Sequence, residues 1–204
     1  MRITPKAKQE TRARILDAGS RLFGELGFGA TSTRDLAGEA GIAAGTLFNY
    51  FATKEALAMT LVVEALERGL ETFEARRKGA DSLSEELFSY VATGLRELEP
   101  YRTFLPEVFE TALSPFRPSD ASRLGGRVRH EHLEMVKGIL AKRGSSGPHT
   151  IASLQLYWTL YVGVLAFWTR DESAHQEETW AVLDQSLGLF VGSIPSEGGT
   201  DHGS

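Results

Sequence analysis

Apolar residues recur at every third or fourth position along most of the chain. Ile15, Leu22 and Leu26, for example, fall on one stripe of a segment that is otherwise largely polar, as expected for one face of an α-helix. We find no convincing run of alternating apolar and polar residues rich in Val, Ile and Thr, which would indicate a half-buried strand. The pattern therefore predicts an all-α protein.

Gly and Pro residues cut this periodicity into about nine predicted helices. Their approximate bounds are 7–26, 33–40, 44–50, 54 to the basic cluster at 76–78, 82–98, 107–113, a longer helix through 124–139 that ends before 144, 150–168 and 177–191. Thr53 is predicted to cap the fourth helix, and Ser82 with Glu85 to form a capping box at the fifth. We expect a loop at 114–118 and a disordered tail at 193–204.

Charge is distributed unevenly along the sequence. The 204 residues include 22 Lys or Arg and 27 Asp or Glu, a net charge of −5 that by itself argues against non-specific coating of nucleic acid. Residues 1–54 carry a net charge of +3 and the remainder −8. A basic head on an acidic body is typical of a chain whose first domain meets phosphate. A solvated, Arg-rich first helix would give the same sign, so charge alone leaves both interpretations open.

The absence of cysteine and the composition of residues 1–14 limit the cellular location and the kinds of site that we expect. The sequence has no cysteine, which excludes disulfides, thiolate metal sites and cysteine nucleophiles. Residues 1–14 are polar and basic with no apolar stretch behind them, so we expect no secretory signal and a cytoplasmic location. Residues 144–169 contain no charged residue, but Ser153, Gln155 and Thr159 interrupt them. We expect a helix covered by protein there, and no membrane partner.

The segment 31–57 reads TSTRDLAGEAGIAAGTLFNYFATKEAL. It holds two short predicted helices joined at Gly41, which is the pattern of a helix-turn-helix. The small core that would fix the angle between them is expected to consist of Leu36, Ala37, Ile42, Leu47 and Phe51. A second helix of this length fits a major groove.

This segment resembles the DNA-binding domain of TetR-family transcriptional regulators. The match is carried by Thr33, Leu36-Ala37, Ala40-Gly41-Ile42, Gly45-Thr46-Leu47, Tyr50-Phe51 and Lys54-Glu55-x-Leu57, with Ala18, Leu22-Phe23 and Gly27-Phe28 before it. It covers about a quarter of the chain, and beyond residue 60 only length and helix count agree. The resemblance implies a three-helix helix-turn-helix DNA-binding domain at 1–54 and a larger helical ligand-binding and dimerisation domain at 55–192.

The resemblance also implies a DNA-facing surface. Its predicted residues are Thr33, Arg34, Ala44, Gly45, Thr46, Phe48, Asn49, Tyr50 and Lys54. Thr33, Thr46 and Lys54 are expected on phosphates, because hydroxyls and ammonium groups bind them. Arg34 and Asn49 suit guanine and adenine edges. An ordinary surface role is the alternative for each residue, and for Thr33 a plain N-cap.

Two positions depart from the family pattern. Phe48 stands where Tyr is common, which removes or moves one phosphate hydrogen bond, and Ala43 replaces the usual Ser or Thr cap. A missing cap costs a helix about 0.5–2 kcal/mol. Tyr50 is expected to contact the DNA backbone or a thymine methyl. Because Ala44 and Gly45 are small, few residues are left to read bases, and we expect each half-site to be bound modestly.

In the resembled family, the C-terminal domain holds a ligand cavity and its last two helices pair with a second subunit. Residues 150–168 are apolar on nearly every side and must be covered, so a homodimer is expected, with a central core helix as the alternative. The predicted interface residues are Trp158, Leu165, Trp168, Trp180, Leu183 and Leu187. The predicted pocket residues are Phe88, Tyr101, Phe104, Phe109, Met135, Tyr157 and Tyr161, which could equally be packed core.

Nothing in the sequence supports an enzyme or a cofactor. We expect no metal, since His130 and His132 lack partners at metal-ligand spacing, and we expect both to face solvent or the rim of the pocket. The resulting hypothesis is a homodimeric regulator, a repressor, that binds a palindromic operator and is released by a small, largely apolar effector. The alternatives are a helical DNA-binding protein without an effector and an all-helical ligand carrier.

Overall fold

The apolar stripes form nine α-helices in the residues that the structure, a computed structural model, describes: 4–76, 82–112, 120–143 and 151–194. The helices are α1 (Pro5–Leu26), α2 (Thr33–Glu39), α3 (Ala44–Leu47), α4 (Lys54–Arg76), α5 (Leu83–Leu98), α6 (Leu105–Ala112), α7 (Asp120–Lys142), α8 (Ile151–Trp168) and α9 (Glu177–Gly192). Short 3-10 turns occupy Glu99–Tyr101 and Ala174–Gln176. These ranges contain no strand, which confirms the predicted all-α fold.

Two predicted helix starts use the expected side chains. The hydroxyl of Thr53 accepts a hydrogen bond from the N–H of Ala56 at 3.0 Å. At α5, the N–H of Glu85 donates to the Ser82 hydroxyl at 3.2 Å and the N–H of Ser82 donates to the Glu85 carboxylate at 3.1 Å. Such caps satisfy backbone donors that have no partner inside the helix. The starts of α4 and α5 are therefore set by short-range chemistry.

Some predicted features lie outside the described residues. These are the loop at 114–118, the start of the eighth helix at Thr150, residues 77 and 78 of the basic cluster, and the tail beyond Ile194.

The contacts within the chain divide it into two compact units. The first unit comprises the described residues of 1–69 and 96–129, and the second those of 70–95 and 130–204. Both α4 and α7 contribute residues to each unit. The predicted division after residue 54 stays a prediction.

Three phenylalanine rings form the centre of the first unit. The ring of Phe23 lies 5.1 Å from that of Phe28 and 5.2 Å from that of Phe104, edge to face in both cases, which is a favourable geometry for aromatic pairs. Gly19 of α1 lies so close to the side chain of Leu57 that a Cβ there would displace it. The core thus ties α1 to α4 and to the segment before α6.

In the second unit, α8 and α9 meet in a corner organised by one buried carboxylate. Asp171 accepts hydrogen bonds from the N–H of Ser173 at 2.8 Å, the N–H of Thr179 at 2.8 Å and the hydroxyl of Thr179 at 2.6 Å. His175 and Gln176 follow with φ of 53° and 58°, a region that residues other than glycine seldom adopt. The bonds to Asp171 offset the cost of this backbone and fix the path into α9.

Hydrogen bonding also controls the protonation of this carboxyl. Burial alone would raise the pKa of Asp171, but hydrogen bonds from Ser173 and Thr179 outweigh it and hold the pKa well below its ordinary value. The folded chain therefore binds this proton less readily than the unfolded chain. The resulting stabilisation is complete above the unfolded pKa of about 3.9 and is lost as the pH falls below it.

We expect Asp171→Asn to lower the free energy of unfolding at pH 7 by clearly more than the control variant below, because an amide is a weaker acceptor than the charged carboxylate for these three hydrogen bonds. The difference from the wild type should shrink below about pH 4, as the wild-type carboxyl begins to lose its advantage. Urea unfolding followed by circular dichroism at pH 7, 5 and 3 measures both effects. The control is Asp184→Asn, at an exposed aspartate of α9, and equal losses in the two variants would contradict the role of Asp171.

Candidate functional site

A glycine-centred turn connects α2 to α3. The N–H of Ile42 donates to the carbonyl of Ala37 at 2.9 Å and the N–H of Gly41 donates to that of Gly38 at 3.1 Å. Gly41 has a φ of 66°, which a glycine adopts without strain. This is the Schellman arrangement for ending a helix. It fixes the direction in which the chain leaves α2 and enters α3, as the helix-turn-helix prediction requires.

The core beneath the turn is close to the predicted one. Leu36, Ala37, Leu47 and Phe51 are buried, while Ile42 is half-buried. These side chains close α2 and α3 on each other and leave the opposite surface of both helices to solvent.

The second helix of the motif is shorter than predicted. α3 ends at Leu47 instead of residue 50, and turns follow in which the N–H of Asn49 donates to Thr46 and that of Tyr50 to Leu47. No side chain caps its start at Ala43, as the sequence predicted. With four residues at about 1.5 Å each, α3 offers roughly 6 Å of helix to a groove.

The predicted DNA-facing residues lie on or beside this motif, in the first unit. Ala44, Gly45, Phe48 and Asn49 are exposed, and Thr46 and Tyr50 are half-buried. Phe48 is a large apolar side chain with about half of its surface exposed to solvent. The small Ala44 and Gly45 make the start of α3 accessible to the backbone of a bound partner.

The start of α2 resolves the alternative for Thr33. Ser32, not Thr33, is the N-cap: the N–H of Asp35 donates to the Ser32 hydroxyl at 3.2 Å, and the N–H of Ser32 donates to the Asp35 carboxylate at 2.8 Å. Hydrogen bonds from Ser32 lower the pKa of Asp35. The plain N-cap interpretation of Thr33 is therefore wrong, and its half-buried side chain is available beside the exposed Arg34. The spacing Ser-x-x-Asp was a signal that could have identified this cap.

Lys54, the first residue of α4, is held by the loop between α1 and α2. Its ammonium donates to the carbonyls of Phe28 at 2.5 Å and Thr31 at 3.0 Å, and lies 4.2 Å from the centre of the Phe28 ring. The Thr31 hydroxyl is shared between the carbonyls of Leu22 and Gly27. An ammonium has three N–H groups, so one remains for phosphate. Lys54 thus positions the start of α4, and its phosphate contact stays a prediction.

No cavity lined entirely by residues that the structure describes brings the predicted pocket residues together. Tyr101, Phe104 and Phe109 lie in the first unit, and Phe88, Met135, Tyr157 and Tyr161 in the second. Phe104 is fully packed core. Tyr157 and Tyr161 line a common cavity, whereas Met135 lines a separate open groove and Phe88 packs against Trp180. Two of the predicted pocket residues, Tyr157 and Tyr161, thus share a cavity, and the ligand pocket stays a prediction.

His132 is buried, contrary to the prediction that it faces solvent or the rim of a pocket. Its Nδ1 lies 3.1 Å from the hydroxyl of Tyr90 and its Nε2 2.9 Å from the hydroxyl of Tyr157. Its ring stacks on that of Tyr161 with centroids 4.2 Å apart. Because a charged imidazole is costly to bury, desolvation lowers the pKa of His132 to about 3, and burial likewise raises the pKa of each tyrosine. We call these four residues the tyrosine–histidine cluster.

The predicted dimer interface needs a correction. Leu165, Trp168, Leu183 and Leu187 have at most 4% of their surface exposed, so they are packed inside the second unit and cannot meet a partner. Trp158 and Trp180 are half-buried. Because α8 is apolar on nearly all sides, its sequence does not indicate which face is buried inside the unit.

Other apolar side chains of the same helices are exposed. Leu156 is 40% exposed and Phe167 37% on α8, and Leu189 is 70% exposed on α9. A Cβ added to Gly163 of α8 would meet nothing in the chain. By length and composition α8 is also able to cross a bilayer, and about a third of it is buried within the chain. The exposed face of α8 carries no charged residue, and apart from the polar Gln155 and Thr159 it is made of small and apolar side chains, so a largely apolar surface remains to be covered.

The described residues include no group of three or more His, Asp or Glu side chains arranged to hold a metal ion.

The sequence matches two family profiles. Residues 15–59 match the family described as bacterial regulatory proteins, tetR family. Residues 86–196 match the tetracyclin repressor-like C-terminal domain. The first match spans most of α1 to the start of α4, and the second spans most of α5 to the end of α9.

Individual proteins match over nearly the whole chain. The HTH-type transcriptional regulator UidR of Escherichia coli K12 is 26% identical over 194 residues, or 91% of this chain and 93% of UidR. The HTH-type transcriptional repressor KstR of Mycolicibacterium smegmatis is 38% identical over 194 residues, or 92% of this chain and 90% of KstR. Thermus thermophilus FadR, a TetR-family repressor solved in complex with lauroyl-CoA, has a TM-score of 0.72 at 20% identity, covering 95% of this chain and 100% of FadR.

We expect Lys54→Met to lower the free energy of unfolding by about 2 kcal/mol, because it leaves two carbonyls without their charged donor. Thermal and urea unfolding measure the loss. Lys8→Met, at an exposed lysine of α1, is the matched control and should change stability by less than about 0.5 kcal/mol. A loss no larger than that of the control would show that the two hydrogen bonds of Lys54 do not stabilise the head.

Proposed function

The chain belongs to the TetR family of bacterial regulatory proteins and is a transcriptional regulator, and we propose that it represses transcription by binding a palindromic operator as a homodimer. A small, largely apolar effector releases it. The observation that carries the proposal is a helix-turn-helix whose core is closed and whose α3 surface is open to solvent. Its site of action is then the cytoplasm, where the DNA lies.

In this proposal, α3 enters the major groove. Asn49 and Arg34 contact base edges, since an amide suits adenine and a guanidinium suits guanine. Thr33, Thr46 and the remaining N–H of Lys54 contact phosphates. The exposure of Arg34 and Asn49 and the absence of a capping role for Thr33 support this assignment.

Tyr50 contacts the backbone or a thymine methyl, and Phe48, Ala44 and Gly45 form the surface between these contacts. Phe48 and both small residues are exposed, so a groove wall can approach the backbone of α3 closely. Two heads then meet half-sites about 34–36 Å apart, or a multiple of that distance.

The exposed faces of α8 and α9 form the proposed dimer interface. Leu156, Phe167 and Leu189 are large apolar side chains in solvent, and Gly163 lets a second helix approach. Exposed apolar patches of this kind mark interaction surfaces in soluble proteins. Pairing these faces with their copies would cover α8 where its own unit does not.

The effector binds in the second unit. KstR is named a repressor, and structures of FadR proteins are described as complexes with lauroyl-CoA and stearoyl-CoA, which supports an apolar effector for a chain of the same fold. A ligand shifts the equilibrium only by its differential affinity for the two states of the protein. The cavity next to Tyr157 is small: the volume that the centre of a water molecule can occupy is about 10 Å³. An effector larger than water therefore has to widen it. The small size of this cavity favours a DNA-binding protein without an effector as the second candidate.

We expect Asn49→Ala and Arg34→Ala each to weaken operator binding about tenfold or more, because a good base contact is worth about 1–3 kcal/mol. Footprinting on the DNA that flanks the gene of this protein identifies the operator, and mobility-shift titration measures affinity. Arg170→Ala, at an exposed arginine of the second unit, is the control. Wild-type affinity in both head variants would mean that the base-reading surface lies elsewhere.

We expect Phe167→Glu to convert the dimer to a monomer at micromolar concentration and to weaken operator binding with it, because a charge would be buried unpaired at the interface. Sedimentation velocity measures the mass. Leu26→Glu introduces the same charge at an exposed leucine of α1 and should leave the mass unchanged. A dimeric Phe167→Glu variant would rule out this face of α8.

A further inference from the structure

The second unit encloses a cavity bordered by two tyrosines. It lies between α5, α8 and α9 and is lined by apolar side chains, including Leu160, Leu183 and Leu187, together with Tyr157 and Tyr161. The space for the centre of a water molecule is about 10 Å³, the room of roughly one water. All of its lining side chains are uncharged. The cavity is thus apolar with a few hydroxyl groups.

The tyrosine–histidine cluster beside this cavity has more hydrogen-bond donors than it uses. Tyr90, neutral His132 and Tyr157 bring one donor hydrogen each, and only two contacts join them. If Nδ1 of His132 carries the hydrogen, the hydroxyl of Tyr90 is left to donate elsewhere. If Nε2 carries it, the hydroxyl of Tyr157 is left instead. In either tautomer, one O–H donor of the cluster is unused.

Tyr161 adds a second unused donor. It is 7% exposed and its ring stacks on His132, yet its hydroxyl has no hydrogen-bond partner among the described residues. Buried hydroxyls are normally paired, and an unpaired one destabilises the fold. Tyr90 does not line the cavity, whereas Tyr157 and Tyr161 do. The tautomer with its hydrogen on Nε2 therefore leaves two unused O–H donors at the cavity, on Tyr157 and Tyr161, and an acceptor atom from outside the chain would satisfy both.

We propose that this cavity is the closed form of the effector site, in which the hydroxyls of Tyr157 and Tyr161 bind the uncharged carbonyl oxygen of an otherwise apolar compound. The inference rests on the proposed effector response and names the chemical class of its ligand. A carbonyl oxygen accepts two hydrogen bonds, which matches the two tyrosines of the lining.

A carboxylate or a cation does not fit this site. The lining offers no opposite charge, and a buried ion without a partner is strongly disfavoured. The low pKa of His132 keeps the imidazole neutral at physiological pH, so it supplies no positive charge to an acid. Uncharged ketones, esters and thioesters remain, with their apolar part among the leucines after these change rotamer.

Binding of simple probes to the full chain tests the proposal. Acetophenone and 2-octanone carry the carbonyl, ethylbenzene has the size of acetophenone without the oxygen, and octanoate carries a charge. Isothermal titration calorimetry gives the affinities. We expect acetophenone to bind about fivefold to tenfold more tightly than ethylbenzene, the effect of one net hydrogen bond, and 2-octanone to bind more tightly than octanoate.

Tyr161→Phe is the decisive variant, because it removes a hydroxyl that supports no contact in the ligand-free chain and should fold normally. It should remove the preference for acetophenone and leave ethylbenzene binding unchanged. Tyr101→Phe, at an equally buried tyrosine of the first unit, is the matched control and should keep the preference.

The proposal is overturned if acetophenone and ethylbenzene bind equally, if neither ketone binds, or if octanoate binds as tightly as 2-octanone. An unchanged preference in Tyr161→Phe also overturns it, as does a ketone that binds without weakening the operator complex. A bound water as the only occupant would give the second of these results. Operator binding by the ligand-free chain tests the proposed function separately. If the ligand-free chain binds its operator but the ketones do not bind the chain, only the proposal about the effector site fails.

Discussion

The helix that is proposed to read DNA is too short to be stable by itself. Four residues without a side-chain cap are far below the length at which an isolated helix forms in water, so α3 exists only because its surroundings hold it. Gly41 sets the turn before it, and Leu47 and Phe51 bury its inner side. Lys54 then fastens the following chain to the carbonyls of the loop after α1. The outer surface of α3 therefore does not contribute to the core that holds the helix, and it is accessible to a partner.

A different constraint governs the second unit, where α8 is apolar on nearly every side and needs cover from more than one neighbour. Tyr157, Val164 and Trp168 are buried inside the unit, and Asp171 fixes the corner that brings α9 against α8. This coverage leaves the face with Leu156 and Phe167 in solvent. The same helix thus borders the tyrosine–histidine cluster and carries the proposed dimer face, so a ligand that widens the cavity acts directly on a helix of that face.

Local chemistry made much of the fold predictable from the sequence. The caps at Thr53 and Ser82 depend on residues three positions apart, and the turn at Gly41 on its immediate neighbours, so the sequence carries both signals. His132 was predicted to face solvent or a pocket rim, because its partners Tyr90 and Tyr157 lie 42 and 25 residues away and no local pattern joins them. Leu183 and Leu187 were predicted at the dimer interface but are buried inside the second unit. The reason is related: because α8 is apolar on nearly all sides, its sequence does not indicate which side of α9 packs against it.

The charge distribution is consistent with the proposal that two heads bind DNA together. A head with a net charge of +3 and a remainder with −8 confine attraction for phosphate to the first residues of the chain. Few side chains of each head can read bases, with Ala44 and Gly45 occupying the start of α3, so one head alone discriminates weakly. Linking two heads makes the second binding event intramolecular and multiplies the affinity only when both half-sites are spanned. In the proposed dimer, an effector would not need to touch DNA or α3, because a change in the spacing between the two heads would be enough to abolish recognition.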